Sequence, residues 1–89
     1  MTMNEDGIKK MIEEGLAGSQ AIVSGDGTHY EATVIYKDFA GKSMIEQHRM
    51  VYGTLGDSMQ GAIHALSIRT YTPQEWNRLI KTPNTTQSS

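Results

Sequence analysis

The segment from Ile63 to Trp76 constrains the fold most, because a β-strand pattern there leads directly into the start of a helix. The residues over 63–70 are typical of a strand. Thr72 is followed three residues later by Glu75, and this capping-box spacing predicts the first turn of a helix. With a proline at its first position, this last helix is predicted to run over 73–81.

A histidine stands at the opening of that strand. There the fold would hold His64 in place while leaving it able to reach a metal ion or a partner. The chain has no cysteine, so histidine is its best ligand for a soft metal. The lack of thiols also excludes a disulfide framework, a zinc ribbon and a thiol nucleophile. Taken alone, His64 has a second interpretation, as a histidine that only packs and forms hydrogen bonds at the end of a strand.

The first half of the chain predicts a helix followed by a β-hairpin. An apolar stripe over 8–16 has helical spacing, and Asn4 stands where a helix cap is expected. Strand patterns follow over 20–24 and 29–36. They are separated only by the glycine-rich turn 25–28, so the two strands should pair as a hairpin.

A second capping box, formed by Ser43 and Glu46, predicts a helix that begins near Met44. Gly53 interrupts its apolar pattern, and a shorter helix is predicted over 55–59. The inward-facing residues are predicted to be Ile45, Met50, Val51 and Leu55 in the second helix, and Trp76 and Ile80 in the last helix.

The predicted order is therefore helix, strand, strand, helix, short helix, strand, helix. A strand that follows a helical crossover usually lies parallel to the strand before it. The sequence thus predicts an α+β fold, with a mixed three-stranded sheet and helices mainly on one of its faces. Residues 1–81 are predicted to form a single domain, and the polar residues 82–89 a disordered tail.

Size and charge narrow the class of function. A domain of 89 residues buries only about 60% of the surface of its unfolded chain, which leaves little room for an enclosed active site. No catalytic triad, carboxylate pair or phosphate loop is visible, so the chain is predicted not to be an enzyme. Residues 1–36 contain six acidic and two basic side chains, whereas residues 37–89 contain six basic and four acidic ones. No apolar run suits a signal peptide or a membrane span, and a cytoplasmic protein is expected.

Several short motifs, in this order, resemble the BolA family. They are Ser24-Gly25-Asp26-Gly27-Thr28-His29-Tyr30, Phe39-x-Gly41-Lys42, His48-Arg49-Met50-Val51-Tyr52, Ile63-His64-Ala65-Leu66-Ser67 and Tyr71-Thr72-Pro73-x-Glu75-Trp76. The resemblance implies a KH-like fold of the second type, α-β-β-α-α-β-α. It also implies partnership with a monothiol glutaredoxin and a [2Fe–2S] cluster shared between the two proteins, with glutathione on the partner side. No cluster is then expected in the isolated protein.

The resemblance implies that His64 is an iron ligand, because the family's proposed ligand is the histidine at the start of this strand. The second ligand stays open. Aligning the glycines places Asp26 near the position where some members have a cysteine, but a carboxylate is a hard ligand for such a cluster. The other candidate is His29, for which a surface position on a half-exposed strand is an equally good interpretation.

A positive surface near the second helix is a further candidate site, for nucleic acid or for the partner protein. It would comprise Lys42, His48, Arg49 and Arg69. Some bacterial members of the family are described as DNA-binding regulators, so a transcriptional regulator of stress response or cell morphology is the alternative function. However, KH-type binding needs a Gly-x-x-Gly loop between helices, and the pattern at Gly15–Gly18 ends the first helix instead. For these four residues an ordinary solvated face is the simpler interpretation. A homodimer stays an open alternative for the assembly of the protein.

Overall fold

The computed structural model describes residues 5–26, 28–56 and 66–81. In chain order its elements are α1 (Glu5–Gly15), β1 (Gln20–Gly25), β2 (Tyr30–Ile35), α2 (Met44–Leu55), β3 (Leu66–Tyr71) and α3 (Pro73–Lys81), with one 3-10 turn at Lys37–Phe39 before α2. Within these ranges no helix has the length and apolar character needed to cross a membrane. The predicted cap Asn4, residues 57–59 of the short helix and the tail 82–89 lie outside the described residues.

The three strands form one mixed sheet in the order β1-β2-β3. β1 and β2 are antiparallel, with Gln20 opposite Ile35. β2 and β3 are parallel, with Tyr30 opposite Leu66 and Ile35 opposite Tyr71. The predicted α+β fold with a mixed sheet is confirmed. The parallel register also places the first residues of β2 and β3 side by side, at the end of the sheet where the hairpin turn lies.

The core lies between one face of this sheet and the helices α1 and α2. Alternate residues of the strands point to that face, and Ala32 and Val34 of β2 are buried there. The remaining core residues are Ile8, Ile12, Leu16, Ala21, Phe39, Val51, Leu55 and Leu66. The residues Ile8, Ile12 and Leu16 belong to the apolar stripe predicted over 8–16.

Both predicted capping boxes are present. At α2 the Glu46 amide donates to the Ser43 hydroxyl (3.1 Å), and the Ser43 amide donates to the Glu46 carboxylate (3.0 Å). At α3 the Thr72 amide donates to the Glu75 carboxylate (2.8 Å), and the Glu75 amide donates to the Thr72 hydroxyl (3.2 Å). Each pair satisfies two backbone donors that would otherwise lack a partner.

Three predictions about the helices are wrong. Gly53 lies inside α2, because its cost of about 1 kcal/mol is small beside the burial of Val51 and Leu55 on either side. Ile45 is 65% exposed, because it lies about 80–120° around the helix from that buried pair. Ile80 is 51% exposed, whereas half-buried Trp76, one turn earlier, contacts the ring of Tyr71 at a centroid distance of 5.5 Å.

Candidate functional site

The hairpin turn between β1 and β2 is built around the carboxylate of Asp26. Its Oδ1 accepts hydrogen bonds from the amides of His29 (2.8 Å) and Thr28 (2.9 Å), and the Asp26 amide donates to the His29 carbonyl (3.1 Å). These hydrogen bonds lower the pKa of Asp26, and the bond from the His29 amide has the largest effect. Asp26 is therefore an anionic turn anchor with one carboxylate oxygen already engaged.

Gly25 allows the hairpin to close tightly. A Cβ at this position would lie 2.4 Å from Cδ1 of Tyr30 and 2.9 Å from the carbonyl oxygen of His29. Real Cβ atoms do not approach a backbone oxygen and a ring so closely, so any larger residue would displace the start of β2. Glycine at this position thereby allows Tyr30 and the His29 carbonyl to lie close to the end of β1.

His29 lies on an open surface next to this turn. Its side chain is exposed, and it lines a cavity of about 300 Å³ together with Ser24, Gly25, Asp26 and Glu31. The structure thus brings His29 and Asp26 to the same site, as the turn chemistry predicts. It adds Glu31, a second carboxylate that sequence reasoning did not single out.

His64 lies outside the described residues. It precedes Leu66, the first residue of β3, by two positions in the sequence. Leu66 is opposite Tyr30, and Tyr30 directly follows His29. The described part of the sheet therefore places the beginning of β3 beside the residue that follows His29.

The possible metal ligands at this end of the sheet fit an iron–sulfur cluster only in part. An exposed imidazole such as His29 is a suitable ligand for one of its irons, but Asp26 and Glu31 offer hard oxygens. Over residues 5–26, 28–56 and 66–81, no group of three or more histidine, cysteine, aspartate or glutamate side chains is placed to hold a metal ion. A cluster here would need further soft ligands from outside this set.

Of the four predicted positive residues, the structure brings two together. His48 and Arg69 line one cavity of about 210 Å³ with Met44, Ile68, Thr70 and Tyr71. Lys42 and Arg49 are exposed but do not line it. The predicted surface is therefore divided, with one pair in a groove beside β3 and the other pair outside it.

Sequence reasoning missed an ion pair that fixes α1 to the sheet. Lys9 Nζ lies 2.6 Å from Glu13 Oε2, and both groups also bind the backbone of Ala21 in β1. The hydrogen bond from Lys9, followed by that from the Ala21 amide, lowers the pKa of Glu13. The spacing of Lys9 and Glu13 predicts a helical pair, but no sequence signal relates it to β1.

The described residues form a small mixed sheet backed by helices, an α+β fold with open cavities at its surface. Comparison with known proteins assigns this fold to a family. Residues 11–75 match the family model described as "BolA-like protein". The chain therefore belongs to the BolA family, as its motifs predict.

Three relatives illustrate the match. The Escherichia coli K12 acid stress protein IbaG is 35% identical over 77 residues, which cover 85% of this chain and 92% of IbaG. The DNA-binding transcriptional regulator BolA of Vibrio cholerae is 44% identical over 55 residues, 62% of this chain and only 52% of that protein. The structure of a bolA protein homologue from Coxiella burnetii has a TM-score of 0.77 and 46% identity, and the match covers 86% of this chain and 100% of the homologue.

Proposed function

We propose that this protein is a non-enzymatic adaptor that binds a monothiol glutaredoxin and shares a [2Fe–2S] cluster with it. Its role would lie in iron–sulfur and iron homeostasis. The observation that carries the proposal is the parallel register of β2 and β3 in a BolA-family chain without thiols. That register brings the start of β3, two residues after His64, next to the residue that follows the exposed His29.

In this proposal His64 is the main ligand and His29 the second. Asp26 is a weak candidate, because one oxygen of its carboxylate holds the hairpin turn. The partner and its glutathione would supply the thiolates that this chain lacks. When bound, imidazole ligation of one iron raises the reduction potential of such a cluster. A ligating imidazole must be neutral, so cluster retention should weaken as the pH falls through the histidine range.

The chain offers a matched set of histidine variants for the test. We expect His64→Ala to weaken cluster retention in the mixed complex at least tenfold, on the order of the loss of a group that supports a metal site. His29→Ala should have a smaller effect, and His48→Ala, which changes a histidine on α2, should have none. The measurement is visible circular dichroism of each variant mixed with a cluster-loaded monothiol glutaredoxin, followed over time.

Two outcomes would contradict different parts of the proposal. Unchanged spectra and cluster retention in His64→Ala would remove His64 from the ligand set. Absence of any complex between the unmodified protein and a glutaredoxin, with or without the cluster, would overturn the adaptor function itself.

A second candidate is a DNA-binding transcriptional regulator of stress response or cell morphology. It is supported by the name of the Vibrio cholerae relative and by the exposed Lys42, Arg49 and Arg69. Affinity for labelled duplex DNA, measured by fluorescence anisotropy, should fall steeply with salt, and Arg49→Ala should reduce the salt slope by about one unit. The control is Lys10→Ala, on the acidic half of the chain. No binding at low salt would exclude this candidate.

A further inference from the structure

The two outer strands of the sheet differ in how their free edges are treated. An edge strand carries backbone groups that lack a partner strand. On β1, α1 covers those of Ala21: the Ala21 amide donates to Glu13 Oε2 (2.9 Å), and Lys9 Nζ donates to the Ala21 carbonyl (3.2 Å). The Lys9–Glu13 ion pair thus takes the place of a fourth strand at Ala21.

The edge of β3 has no such cover within the described part of the chain. The Tyr36 amide donates to the Tyr71 carbonyl (3.0 Å), so the backbone of Tyr71 points toward β2. Because alternate residues of a strand point their backbone groups to opposite sides, the N–H and C=O groups of Ile68 and Thr70 point outward. No hydrogen bond from another described residue reaches these backbone groups.

Two cavities beside β3 share Thr70 and Tyr71 as lining residues. The first, of about 210 Å³, lies between α2 and β3, as described above. The second, of about 460 Å³, is lined by Thr70, Tyr71, Glu75, Arg78 and Leu79. Each cavity is lined by consecutive residues of β3, whose side chains point to opposite faces of the sheet, and we infer that both cavities lie along the free edge of the strand. Together the two cavities form a groove beside β3, which we call the β3 groove.

The side chains around the β3 groove include exposed apolar groups, arginines and one described carboxylate, Glu75, which accepts a hydrogen bond from the Thr72 amide in its capping box. Met44 in the first cavity is 69% exposed, and Leu79 in the second is 48% exposed. Arg69 adds a cationic group, and no described carboxylate forms an ion pair with it. The groove therefore suits a ligand with both apolar and acidic side chains.

We propose that the β3 groove binds an extended, acidic and apolar segment of another protein, which pairs with β3 as a fourth strand. The backbone groups of Ile68 and Thr70 would form its main-chain hydrogen bonds. Alternate side chains of the segment would contact Met44 and Leu79, while its carboxylates would lie near Arg69. This surface lies away from the hairpin turn, so the inference is independent of the proposed cluster.

Two other occupants fit less well. Antiparallel pairing of β3 with a second copy, centred on its outward groups, would place Arg69 opposite Arg69, and like charges directly opposite are destabilising. The C-terminal residues 82–89 contain no acidic side chain and no large apolar one. Neither complements the groove as an acidic and apolar strand does.

The probe for the test is a fluorescein-labelled ten-residue peptide of alternating valine and glutamate. Binding is measured by anisotropy, and amide hydrogen exchange is followed by NMR. At saturating peptide we expect exchange of the Ile68 and Thr70 amides to slow at least tenfold and that of Ala21 to stay unchanged. Arg69→Glu should weaken binding about five- to tenfold, whereas Arg49→Glu, an exposed change on α2 outside the groove, should not.

A change in the probe leaves the protein's fold untouched and tests the backbone pairing directly. Two further peptides are used, one N-methylated at its odd-numbered residues and the other at its even-numbered residues. Only one of them should lose affinity, because only one of these two sets of amides faces β3. Equal affinity of both peptides would overturn the proposal. So would self-association that protects the same amides without peptide, or a labelled single-stranded oligonucleotide that protects them while the peptide does not bind.

Discussion

Phe39→Ala is expected to lower the free energy of unfolding by about 3–5 kcal/mol. Phe39 is fully buried in the core between the sheet, α1 and α2, and it packs edge-to-face on Tyr36 at a centroid distance of 5.4 Å. A small domain is stable by only about 5–15 kcal/mol in total, so this one substitution would remove much of that stability. Urea unfolding followed by far-UV circular dichroism measures the effect.

Ile45→Ala is the control, since it removes an apolar side chain that is mostly exposed. Its free energy of unfolding should change by no more than about 0.5 kcal/mol. A loss at Phe39 no larger than that at Ile45 would show that the core is not centred where the structure places it.

Gly15→Ala and Gly53→Ala should change stability in opposite directions, although both replace glycine by alanine at a helical position. A Cβ on Gly15 would lie 2.6 Å from Cγ2 and 2.7 Å from Cβ of Thr54, so α1 and α2 would have to separate. We expect a loss of about 1–3 kcal/mol. A Cβ on Gly53 would meet nothing within 4 Å, so alanine there should add about 0.5–1 kcal/mol.

The cause of the loss at Gly15 can be isolated with a double variant. Thr54→Ser removes Cγ2 but keeps the hydroxyl that donates to the Val51 carbonyl. Combined with Gly15→Ala it should recover part of the lost stability, which gives a measurable coupling energy between the two sites. Additive effects, or a gain at Gly15 equal to that at Gly53, would contradict the close approach of the two helices.

The features that the sequence predicts well are local or follow from chain connectivity. Ser43 with Glu46, and Thr72 with Glu75, are three residues apart, so their hydrogen bonds can be inferred from spacing alone. The parallel pairing of β2 and β3 follows from the helical crossover between them. Exposure is harder to predict, because the spacing of Ile45 and Ile80 fits an inward face until the positions of the neighbouring elements are known.

The candidate site likewise has some features that the sequence predicts and others that it does not. The glycine-rich turn predicts that Asp26 and His29 lie together, and its hydrogen bonds explain why Asp26 serves the turn better than a metal. Lys9 precedes Ala21 by 12 positions in the sequence, and Glu13 precedes it by 8. Tertiary packing brings these residues together, and no local sequence pattern predicts the contact. The role of His64 stays a prediction, since it rests on family resemblance and on the register of β3.

The Lys9–Glu13 pair beside β1 also bears on stoichiometry. A sheet with two open edges can pass strand pairing from one molecule to the next and so grow into a fibre. Here the outward backbone groups of Ala21 in β1 are held by side chains of the same chain, so a strand could add there only by displacing the Lys9–Glu13 pair. We therefore expect strand pairing to favour β3 over β1, and complexes of this kind to contain one copy of each protein.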